Sequence, residues 1–77
     1  MQLGTRWELG AEPPARLPDS VVAAIATVEI ELAGVDTTGW RWTLTWLEGR
    51  PVVELDDGTT LRYDPATGSV SVESPLD

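Results

Sequence analysis

From Trp40 to Leu47 the chain alternates with the two-residue period of a β-strand, setting Trp40, Trp42, Leu44 and Trp46 on one side and Arg41, Thr43 and Thr45 on the other. The same alternation returns three times before the C-terminus. It predicts strands over about 40–47, 51–55, 59–63 and 69–73. Between them stand the turns Leu47-Glu48-Gly49-Arg50-Pro51, Asp56-Asp57-Gly58, with glycine where a tight hairpin needs a positive φ, and Asp64-Pro65-Ala66-Thr67-Gly68, which proline opens and glycine closes. The apolar side of the four strands collects Trp40, Trp42, Leu44, Trp46, Val53, Leu55, Leu61, Tyr63, Val70 and Val72, and the other side is largely polar. That is the pattern of an antiparallel sheet buried on one face. On the polar side Arg41, Glu54, Arg62 and Glu73 alternate in sign from strand to strand, as a simple up-and-down meander would favour.

A sheet with one apolar face needs a cover, and residues 19–33 offer one. Val21, Ile25, Val28 and Leu32 recur at helical spacing between a start signal, Asp19-Ser20, and a stop, Gly34. A helix over 19–33 would leave Ile30 on its outer face. The competing reading is a strand over 27–33, because Val28-Glu29-Ile30-Glu31-Leu32 also alternates and β-branched residues are frequent there. It would make the protein mostly β. Upstream, 10–18 is a connector held extended by Pro13, Pro14 and Pro18, and 4–9 alternates as an edge strand with Trp7 and Leu9 inward. Residues 74–77 read as a frayed tail. The expected fold is α+β: one helix on a four- or five-stranded antiparallel meander, within a single small domain of 77 residues.

Composition narrows the chemistry. Cysteine and histidine are both absent, which removes thiolate and imidazole ligands, disulfides, cysteine nucleophiles and the usual neutral-pH base. The serines have neither histidine nor lysine to activate them. Asp56, Asp57 and Asp64 lack the ordered spacing of a calcium loop and are better explained as turn residues. No glycine-rich phosphate motif occurs. The expectation is therefore no enzyme, no cofactor and no metal. No apolar run of membrane-spanning length and no leader-like start is present, so the expected location is cytoplasmic.

A net charge of −8 disfavours direct contact with nucleic acid and with anionic membranes. It favours a protein partner with a basic surface, an adaptor, immunity or inhibitor type of role; self-association as a homodimer is the other expectation. The acids expected at the rim are Glu48, Asp56, Asp57 and Asp64. A second possibility is a small-ligand or peptide site on the tryptophan-rich sheet face, for which Trp46 and Trp7 are the candidate exposed members.

Overall fold

A computed structural model describes residues 4–74. It contains β1 (Thr5–Glu8), α1 (Asp19–Glu31), β2 (Arg41–Leu47), β3 (Arg50–Leu55), β4 (Thr60–Asp64) and β5 (Ser69–Glu73). The strands form one antiparallel sheet in the order β1-β2-β3-β4-β5, open at both ends, with α1 packed against one face. The fold is α+β, with the edge strand present as a fifth member. Residues 27–31 are helical, so the mostly-β alternative is overturned. Burial of Val21, Ile25 and Val28 along one helical stripe outweighs the strand propensity of this segment. Of the tail predicted at 74–77, only Ser74 lies within the described residues.

Local chemistry accounts for most of the boundaries. Glu48 and Gly49 both take positive φ, 55° and 78°, as a two-residue hairpin turn of type I′ requires. The β3–β4 hairpin closes over Asp56, Asp57 and Gly58, whose φ is 101°. There Gly58 N donates to the Leu55 carbonyl at 2.9 Å, and Leu55 N to the Thr59 carbonyl at 2.8 Å. The start of α1 differs from expectation. Pro18, with φ −59° and ψ 152°, occupies the cap position and no side chain caps the helix. Asp19 lies in the first turn instead, where its charge still complements the helix dipole. The helix ends at Glu31 with Leu32 as its cap, two residues short of the predicted bound at 33, and Gly34, two residues past the cap, takes a φ of 93°.

The core lies between α1 and one sheet face. Trp42, Leu44, Val53, Leu55 and Leu61 from the sheet meet Val21, Ile25 and Val28 from the helix. Leu17 joins them, so the proline-rich connector contributes a buried side chain as well as a span. Trp42 is wholly buried and is the largest of these side chains. Removing an indole of about 200 Å² from water is worth roughly 5 kcal/mol of transfer free energy. Trp7 stands directly opposite Trp42 across β1 and β2, on the same face. At the start of β1, a Cβ on Gly4 would come within 2.7 Å of the Leu44 carbonyl oxygen, so the close approach of β1 to β2 depends on glycine there.

The helix does not cover the sheet evenly. Its backbone comes nearest to β4 and β5, away from β2. Trp46 consequently remains 46% exposed although it shares the inner face with Trp42.

Candidate functional site

The register distributes the four rim acids between the two ends of the sheet. The β2–β3 and β4–β5 turns share one end of the sheet, bringing Glu48 and Asp64 there, whereas Asp56 and Asp57 sit at the other end in the β3–β4 turn. Three of the four also hold turns or strands in place. Asp56 Oδ2 accepts from Arg41 N at 3.0 Å, and its Oδ1 meets the Arg6 guanidinium at 3.4 Å, tying three strands together at that end. Asp57 Oδ1 accepts from Thr59 N at 2.8 Å, and Asp64 Oδ1 from Ala66 N at 3.0 Å, both Asx-type turns. Glu48 is exposed at its hairpin tip. Beyond the helix, Asp36 accepts from the Thr38 hydroxyl at 2.7 Å and from Thr38 N at 3.2 Å. Those two bonds, the hydroxyl first, hold its carboxyl below the ordinary value of 3.8.

The tryptophans are mainly architectural. Trp42 is buried, and Trp40 and Trp7 pack half-buried against the core. Trp42 Nε1 donates to Glu29 Oε2 at 2.9 Å, and the same oxygen accepts from Gly10 N at 3.0 Å. One helix carboxylate thus joins the central strand to the chain leaving β1. Trp7 Nε1 is buried and finds no acceptor among the described residues. Trp46 is the tryptophan with substantial exposure, and Leu47 beside it, on the opposite face, is 57% exposed. A small depression near this end, about 130 Å³, is lined by Leu47, Arg50, Pro51, Arg62 and Tyr63.

Charge is distributed unequally between the outer sheet face and the rest of the chain, which sequence order conceals. Arg6, Arg41, Arg50 and Arg62 all lie on the outer sheet face, interleaved with Glu8, Glu54, Asp64 and Glu73. That face is electrically balanced. The predicted charge alternation is realised in part. Arg62 pairs with Glu73 diagonally at 3.4 Å, Arg41 faces Glu8, and Glu54 stands between Thr43 and Thr60. The excess negative charge therefore belongs to the connector, helix, loops and turns. In those segments Arg16 stands against Glu12, Asp19, Glu29, Glu31, Asp36, Glu48, Asp56 and Asp57.

The outward side of α1 is unusual for a surface helix. At 100° per residue, Val22, Ala23, Ala26, Thr27 and Ile30 form a stripe opposite the buried one, and all five are exposed, Ile30 to 74%. The Thr27 hydroxyl is bonded back to the Ala23 carbonyl at 3.0 Å, which leaves its methyl as the outward surface. Asp19 opens the stripe and Glu31 borders it. Ile30 lies on the outer face as the helical spacing predicts, and the helix brings the other four into one stripe with it. Beside the last helical turn a groove of about 350 Å³ runs between Val28 and Glu31 on α1, with Leu32 at its cap, and Asp57, Thr59 and Val72 below.

Among the described residues no cluster of acids is arranged to hold a metal ion, and no helix is long and apolar enough to cross a membrane. No protein-family model, curated protein or solved structure matches this chain.

Proposed function

We propose that this protein is a small acidic interaction module, without catalytic chemistry of its own, whose helix side docks on a basic protein surface. The observation that supports this reading is the charge balance of the outer sheet face, which leaves the excess of acids to the helix, connector, loops and turns, with Asp19 and Glu31 bordering the exposed apolar stripe of α1. An exposed apolar strip bordered by one sign of charge suits a partner whose own apolar contacts are ringed by the other. The charge speeds encounter and the apolar centre retains the complex. Among the rim acids read from the sequence, Asp57 belongs to this side because it lines the groove with Glu31. Asp56 is committed to Arg6 and Arg41 and is a poor probe of binding.

The test compares wild-type protein with an Asp19→Lys/Glu31→Lys variant in affinity capture from host lysate, at low and moderate salt. The expected result is one near-stoichiometric basic protein, lost as salt rises and lost in the variant. A partner that ignores the double reversal, or an empty column at both salts, would count against the reading.

A further inference from the structure

The far edge of the sheet is β5, whose outer backbone groups face no strand among the described residues. Natural proteins blunt such edges with charged side chains, proline, bulges or very short strands. Ser69-Val70-Ser71-Val72-Glu73 has one such feature, the charge of Glu73 at its last position, and its first four residues are uncharged. Val72 is 54% exposed although it points to the helix side, at the mouth of the groove under the last turn of α1. The inner face is therefore unfinished along β5.

We infer that a second copy of this chain completes it, β5 pairing antiparallel with β5 about a twofold axis through Ser71. The strand is self-complementary in that register. Ser71 meets its own copy, Val70 lies opposite the partner's Val72 on the inner face, and Ser69 lies opposite the partner's Glu73, so no like charges face each other directly. Glu73 is moreover partly neutralised by Arg62 of its own chain at 3.4 Å.

The helices fit this arrangement. Strands are about 4.8 Å apart, so helices lying over the β4–β5 pair of each copy come about 10 Å from one another across the axis, close to the spacing of packed helices. Glu29 fixes one flank of α1 toward Trp42. The opposite flank, turned to the open edge, carries Ala24 and Thr27, small enough for close approach, and Glu31 at the last turn, whose charge adds to the repulsion that salt must screen. Both helices lie on the same side of the resulting ten-stranded sheet. This surface borders the stripe that contains Ile30, sharing Thr27 and the groove beside Glu31 with it, but the inference rests on the β5 edge and does not depend on the proposed partner.

Two copies with a net charge of −8 each repel, so association should strengthen as salt screens them. Binding of a basic partner has the opposite dependence. Sedimentation equilibrium of the full chain at low and high salt decides the matter. The expected mass rises with protein concentration from 8.3 kDa toward twice that value, at lower concentration when salt is high.

Ser71→Glu is the informative variant. Ser71 is exposed and faces Arg62 within its own chain, so the monomer gains a favourable neighbour while the dimer acquires two facing carboxylates. Association should weaken about fivefold or more. Val72→Glu, on the other face of the same strand, should weaken it at least as much, with unchanged circular dichroism showing that the fold survives. A chain that stays monomeric at every salt and concentration overturns the inference. So does a dimer indifferent to both substitutions, which would place the contact elsewhere, for example at Trp46 and Leu47.

Discussion

Glu48 holds a conformation that its side chain disfavours. A φ of 55° puts it in the left-handed region, where an ordinary L-residue loses roughly 1–2 kcal/mol and asparagine loses less. Glu48→Asn should therefore raise the stability of the fold by about 1 kcal/mol, read as an increased midpoint in urea unfolding. An unchanged or lowered midpoint would mean that the glutamate compensates for its own strain through the neighbouring arginines. At this scale the sequence was a good guide to identity of role and a poor one to cost. The glycine of each turn announced the turn, and the alternation of Trp40 to Trp46 announced the face. Nothing in the pattern showed that Trp42 would be wholly buried and Trp46 half exposed, because that depends on where the helix lies across the sheet.

At the scale of elements the central joint is Glu29. Its carboxylate receives the Trp42 indole and the Gly10 amide, linking α1, β2 and the end of β1 through one oxygen. Glu29→Ala would leave a donor of the largest buried side chain unpaired, at a cost of about 1–3 kcal/mol in denaturant unfolding. Glu29→Gln keeps an acceptor of similar reach and should cost markedly less. Equal losses for the two would assign the effect to helix packing and not to the bonds. This joint was not legible beforehand. A glutamate in an alternating Val-Glu-Ile-Glu-Leu run reads as a solvated residue on either a helix or a strand, and only the crossing of α1 over the sheet brings it to Trp42. The helix itself was legible through Val21, Ile25 and Val28, but its cap was not, since Pro18 takes the place offered by Asp19 and Ser20.

For the whole molecule, the sequence displayed a sum of charges, and the structure shows their separation. Four arginines scattered over more than fifty positions converge on the outer sheet face because each falls on the same phase of its strand. The rim acids grouped by composition divide between two ends because a meander sends alternate turns in opposite directions. In the reading proposed above, this uneven distribution would orient the protein toward a basic partner, and the open β5 edge is where a second copy is proposed to add.

The order of strands has a kinetic consequence. From β2 to β5 every pairing joins neighbours in the chain through a short turn, whereas β1 reaches β2 only by closing the long loop that contains the helix. Local hairpins form early and loop closure is slow to be rewarded, so β1 should be the last strand to dock and the first to leave. In native-state hydrogen exchange the amides of Arg6 and Trp7 should open at lower free energy than those of Val53 and Leu61, and equal protection across the sheet would refute this. Release of β1 would uncover Trp42 along its flank while the four-stranded remainder stayed folded, so the fold contains a partly opened state, distinct from the unfolded chain, in which its largest buried side chain meets solvent.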